Sequence, residues 1–213
     1  MDLNAWTTLL EGAWITLWIS GISIALGVVA GFGVAVLRNA DIPIISQILS
    51  TYISIIRATP MITLVLFLFV MTPYLQIDID RWVIAVAALT INTTAFNAEI
   101  WRSALATFSR EQVEAAKAAG MTRFTMLRRI MLPQMMITSL PGLVNEMSLL
   151  VKSSPAIAMV GIADLTRATN RIAATTYEPL PPILAAALIY FVMIGAVVRL
   201  QRVADKYAKR LAM

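Results

Sequence analysis

Five stretches of the chain are apolar and long enough to be read as membrane spans, at about residues 13–37, 57–75, 82–104, 133–152 and 182–200. Each is close to the roughly 20 residues that a helix needs to cross the hydrocarbon core of a bilayer. Between the third and fourth stands a segment of different character, "VEAAKAAGMTRFTMLRRIMLP", residues 113–133. From Arg110 to Ala119 the residues are strong helix formers. Ser109 is placed to cap that helix, and Glu111 and Gln112 fall in its first turn, where a carboxylate suits the dipole. Gly120 ends it, since glycine accepts the left-handed conformation used just past a helix. Thr122 then caps a second helix, "RFTMLRRIML", which runs to Pro133. Phe124, Leu127 and Met131 form its apolar stripe, while Arg123, Arg128 and Arg129 turn to lipid headgroups or protein. The pattern predicts a helix-turn-helix lying at the membrane surface, and by itself it is no more than an amphipathic interfacial element.

Composition agrees with the spans. The 213 residues are 59% hydrophobic and 14% charged, far from the balance of a water-soluble domain. An all-α integral membrane protein follows, a single domain over residues 1–213 with no room for a separate soluble unit. The opening "MDLNAWTTLLEGAW" lacks the basic n-region of a cleaved signal, so the first span is expected to be retained. Thirteen of the 17 Lys and Arg residues fall in three places: Arg38 with Arg57, six from Arg102 to Arg129, and five from Arg199 to Arg210. Five spans put all three on one side, which the positive-inside rule makes the cytoplasm, with the amino terminus outside and the carboxyl terminus inside. The net charge of +5 is spread over these membrane-flanking segments without a compact basic stripe, so it points to the anionic inner leaflet and not to nucleic acid. With no cysteine and no histidine, disulfides, thiol chemistry and the usual metal and triad arrangements are poor expectations. No metal site is expected.

The spacing within the 113–133 segment is more specific than its amphipathicity. Glu114-Ala115-Ala116, three residues, Gly120, nine residues and Ile130-Met131-Leu132-Pro133 resemble the cytoplasmic loop E-A-A-x3-G-x9-I-x-L-P of permease subunits in ATP-binding-cassette importers. Other segments resemble the polar amino-acid subfamily of these permeases. They are "RATPMITLVLFLF" at 57–69, with Ala58 in place of the usual glycine, "NAEIWRSAL" at 97–105, and "LPGLVNEMSLLVKSSPAIAMVGIADLTR" at 140–167. The resemblance runs in order through most of the chain. It implies a type I importer permease in which Glu114, Ala115, Ala116, Gly120 and Pro133 form the coupling loop, at about 106–132, that docks on an ATPase subunit.

Ionisable and polar residues inside spans are costly and usually face a bundle interior or a water-filled path. In the fourth span, helical spacing puts Glu146 and Ser153 on one stripe and Asn145, Ser148 and Lys152 on its neighbour, giving one polar face. Snorkelling or a packing pair would also account for Glu146 and Lys152. An amino acid needs a carboxylate for its ammonium and a cation or helix-end amides for its carboxylate, so Glu146, Lys152, Ser153 and Asn145 are candidate substrate contacts. Relatives that carry basic amino acids are acidic at both positions matching Glu146 and Ser153, whereas this chain keeps only the first. Asn92, with Thr93 and Thr94, lines the path or bonds to neighbouring helices. Glu99 and Arg102, one turn apart, predict a local ion pair. Arg57 reads as an interface anchor and Pro60 as a first-turn residue. Residues 155–176 are too short in apolar length for a span, and the stretch Tyr177 to Pro182 reads as a rigid connection outside the membrane.

The chain contains no G-x4-G-K-[ST] phosphate loop, so it is expected to be no enzyme and to carry no cofactor, with ATP bound and hydrolysed by a partner. The resemblance implies two ATPase subunits, a second permease subunit, identical or sister, an external amino-acid-binding protein and a polar amino-acid substrate, at the cytoplasmic (inner) membrane of a bacterium. The competing class is a self-contained secondary transporter or a membrane scaffold. A secondary carrier predicts internal repeats with paired broken helices.

Overall fold

The structure, a computed structural model, describes residues 1–40, 42–108 and 110–211. Ser109, the expected cap of the first loop helix, lies outside the described residues. The described residues form helices α1 (Leu3–Arg38), α2 (Pro43–Ala58), α3 (Met61–Tyr74), α4 (Arg81–Ala106), α5 (Arg110–Ala118), α6 (Arg123–Met126), α7 (Leu132–Ser153), α8 (Leu165–Thr176) and α9 (Leu180–Leu211). A π-helical turn, Leu127–Met131, joins α6 to α7, and a 3-10 stretch, Ser154–Val160, follows α7.

Three helices are long and apolar enough to cross a membrane unaided: α1, α4 and α9. Counting each bent pair as one span raises the number to five. The first span begins earlier than residue 13, because Asp2 accepts the Ala5 amide at 2.9 Å and caps the helix there. The second, expected over 57–75 with Arg57, Thr59 and Pro60 at its entry, corresponds to α3, and a further helix, α2, precedes it: α2 and α3 meet at 110° around Thr59 and Pro60. Pro60 has no N–H for the ladder and pushes the preceding residue out of the helical region. Thr59 accordingly takes an extended conformation, φ −89° and ψ 126°.

The fourth span also differs from expectation. The second loop helix does not stop at Pro133; α6, the π turn and α7 follow one another without a gap from Arg123 to Ser153. Leu132 donates across the wider turn to the Leu127 carbonyl, and Pro133 sits in the first turn of α7, where its missing N–H is accommodated in the change of register. Beyond it, residues 155–176 fall into the end of the 3-10 stretch and α8; the helical path Arg123–Val160 and α8 (Leu165–Thr176) are bent by 54°, with Gly161 between them at φ +88°. Tyr177 to Pro182 is only partly a connection, since α9 starts at Leu180 and takes Pro181 and Pro182 into its first turn.

Three apolar clusters and the small residues between them hold the described bundle together, one of them joining Leu9, Val151, Leu165, Ala185 and Met193. Another joins Ile19, Val65, Leu89, Leu150 and Ile157; at the opposite end Ala35, Trp101, Ala104, Met135 and Leu143 pack together. Lipid supplies little hydrophobic drive between helices, so close backbone approach and dispersion must carry much of the association. α1 and α4 meet through glycine. A Cβ on Gly27 would lie 2.1 Å from Thr93 Cγ2, and one on Gly31 would lie 2.7 Å from Asn97 Cβ and 3.0 Å from the Ala98 nitrogen. Gly33, on the same helix, has nothing within 4 Å.

This contrast sets a prediction with opposite signs. Ala is the better helix former by about 1 kcal/mol, so Gly33→Ala is expected to be neutral or stabilising. Gly31→Ala must separate α1 from α4 and is expected to cost about 1–3 kcal/mol net. Thermal unfolding of the purified variants in detergent distinguishes the two; equal midpoints would show that the helices do not meet as described.

Candidate functional site

The loop between α4 and α7 has the hairpin shape that its spacing predicts. Gly120 is left-handed at φ +74°. Its amide donates to the Lys117 carbonyl at 2.9 Å, and the Met121 amide donates to the Ala116 carbonyl at 3.0 Å. These two bonds close a Schellman motif that satisfies the last carbonyls of α5. Two residues on, the Thr122 hydroxyl accepts the Thr125 amide at 3.2 Å and starts α6. α5 thus presents two sides. Glu114, Ala115 and Ala118 are exposed, while Ala116 is buried and Val113 half-buried against the body of the protein. Pro133 is exposed beyond the π turn.

The cytoplasmic ends of the long helices are tied together by charge. Arg38, in the last turn of α1, donates to Glu99 Oε2 at 3.0 Å and to Ser50 of α2 at 3.2 Å. Arg102 donates through Nε to Glu99 Oε1 at 2.8 Å, and its Nη2 also contacts that oxygen. The Glu99–Arg102 pair was expected from its helical spacing. The link from Glu99 to Arg38 was not legible, because 61 residues separate the partners. Arg57, expected as an interface anchor, is exposed, and its guanidinium lies 5.2 Å from the centre of the Phe96 ring on α4.

The polar residues of α7 do not make one face. Glu146, 5% exposed, and Ser148 are buried in the bundle, whereas Asn145 and Lys152 are exposed and Ser153 is half-buried. Glu146 lies near Thr93 of α4, on the side of the bundle toward Arg57. Asn92 is buried on α4, and Asn97 donates to Thr93 at 3.1 Å. The structure therefore brings Glu146 to the polar stretch of α4 and leaves Lys152, Asn145 and Ser153 outside that group. Arg57 and Thr93 were not predicted as its companions; the only sequence signal was their polarity within or beside apolar stretches.

A family profile described as "Binding-protein-dependent transport system inner membrane component" matches residues 23–210. The chain belongs to this family. It is 32% identical over 187 residues to the arginine transport system permease protein ArtQ of Bacillus subtilis (strain 168), spanning 87% of this chain and 85% of that one. The same identity, length and shares relate it to the glutamine transport system permease protein GlnP of Escherichia coli (strain K12). Against a chain from the crystal structure of an amino acid ABC transporter with histidines, the TM-score is 0.85 at 29% identity, covering 99% of each chain. The permease is thus an all-helical, multi-pass membrane protein with the type I importer architecture expected from its loop.

The ion-pair cluster gives a test of how the permease is tied together at this end. Glu99 and Arg38 are partly exposed, so solvent screening keeps their coupling modest. A double-mutant cycle with Glu99→Gln and Arg38→Met is expected to show about 0.5–1.5 kcal/mol of coupling in detergent unfolding. Strict additivity of the two losses would show that the bridge contributes nothing.

Proposed function

We propose that this permease is the membrane subunit of an ATP-driven importer of polar amino acids and that the 113–133 segment receives the motion of an ATPase subunit. The observation that carries the reading is the loop itself. Its exposed Glu114-Ala115 edge, its left-handed Gly120 and the unbroken helical path from Arg123 into α7 make a short lever rooted in a span. A displacement of α5 or α6 would be passed along α7 toward Glu146. The names of the curated relatives support the choice of amino acids as cargo.

The assembly we infer holds two ATPase subunits, a second permease subunit and an external binding protein, in the inner membrane of a bacterium, with the amino terminus outside. The permease hydrolyses no ATP itself, needs no cofactor, and forms one domain over its 213 residues. Glu146 and Asn92, with Thr93, are the substrate contacts best supported, since they are buried polar groups of α7 and α4 and Glu146 neighbours Thr93. Lys152, Ser153 and Asn145 would serve only where a neighbouring subunit or a change of conformation brings the outer face of α7 into the path. A scaffold or a self-contained carrier has no need of the lever.

Two measurements test this reading. Gly120→Leu forces a branched side chain into a left-handed turn, at a cost of about 1 kcal/mol or more. It is expected to abolish uptake or release the ATPase while membrane insertion persists; normal uptake would overturn the loop's role. For the substrate, Glu146→Gln is expected to remove most uptake from an assembled complex, and Ser153→Asp to shift preference toward arginine or lysine. Competition with arginine, glutamine and glutamate reads both. An unchanged ranking in both variants would take α7 out of the substrate path.

A further inference from the structure

The inward side of the coupling hairpin does not close completely on the body of the protein. A groove of about 430 Å³ lies between the end of α1, the end of α4 and the α5–π-turn segment. Its floor is apolar, formed by Val36, Leu105, Leu127 and Met131, and the last two belong to the π turn that reorients this stretch. Lys117 and Arg123 stand at its edge, both exposed. Phe124, 70% exposed, flanks the same rim.

Apolar floor, cationic rim and position together define the kind of molecule that fits. The groove opens where two apolar membrane-crossing helices end, at Arg38 and Ala106, on the side to which the basic residues assign the anionic leaflet. It also lies on the side of α5 away from the exposed Glu114-Ala115 edge. A soluble anion would find the cations but leave the floor wetted. A neutral lipid would cover the floor but gain nothing from the cations. We propose that the groove holds one anionic phospholipid, its phosphodiester against Lys117 and Arg123 and the upper part of an acyl chain along the floor. Bound there, the lipid braces the hairpin against α1 and α4, and the coupling segment becomes sensitive to the charge of the inner leaflet.

The test is lipid retention by the purified permease with whatever subunits copurify, read by native mass spectrometry after delipidation and addition of phosphatidylglycerol or phosphatidylcholine. Phosphatidylglycerol should be retained in preference, and Lys117→Gln with Arg123→Gln should weaken it by about 5-fold for each charge removed. Arg128→Gln with Arg129→Gln, at exposed positions outside the groove, should leave the retention intact. Should the first double variant fail to accumulate, Lys117→Gln alone is read, with the single step of about 5-fold expected. Equal retention of the two lipids would overturn the proposal. So would retention unaffected by loss of the two cations, equally tight binding of soluble glycerol phosphate, or lipid binding that appears only once the ATPase is stripped away. None of these readings depends on transport, so failure here and failure of the import function remain distinguishable.

Discussion

The near-contact of α1 and α4 is the constraint on which the other placements depend. In lipid there is little gain from hiding one apolar surface against another, and helices associate where their backbones can come close. Gly27 and Gly31 permit this against Thr93, Asn97 and Ala98. Further along α1, Gly12 is as tightly confined, with an added Cβ 2.9 Å from the Asp164 carbonyl oxygen. There the Thr16 hydroxyl accepts the Leu165 amide at 3.2 Å, while Asp164 caps α8 by accepting the Arg167 amide at 2.9 Å. One helix therefore seats both α4 and the short α8, and the long-range hydrogen bonds are made because the backbones already touch.

The polar residues of α4 acquire their positions from this packing. Thr93 and Asn97 are pressed against α1, and Trp101, further along, donates to the Val28 carbonyl at 3.2 Å. Phe96 takes the guanidinium of Arg57, and Thr93 meets Glu146. A carboxylate inside a membrane bundle is tolerated when hydroxyls and a cation stand near it, and α4 brings both: Thr93 directly, and Arg57 through Phe96. At the cytoplasmic end of the same helix Glu99 gathers Arg38 and Arg102. α4 thus connects the polar group in the bundle to the start of the coupling hairpin.

Features that are local in sequence were legible in it. The helical character, the long apolar stretches, the cap at Thr122 and the left-handed turn at Gly120 each depend on a few adjacent residues. The entry of the second span at Thr59 and Pro60 was signalled by proline, but α2, which meets it there at 110°, was not singled out by hydropathy. Pro133 misled in the opposite direction: a π turn absorbed a residue that ordinarily stops a helix. The division of the α7 polar residues between a buried and an exposed side depended on which neighbours cover the helix, and periodicity does not carry that information. Neither the Arg38–Glu99 bridge nor the Arg57–Phe96 stack could be found without the tertiary packing.

The proposed function requires that motion enter this permease through the outward edge of α5. The chain has no cysteine, so one introduced at Ala115, an exposed position, is unique and can be cross-linked to the ATPase subunit in the assembled transporter. A cross-link whose yield changes with the nucleotide bound to the ATPase is the predicted result. A complex that hydrolyses ATP and imports substrate, yet gives no cross-link from position 115 in any nucleotide state, would contradict entry of motion through α5.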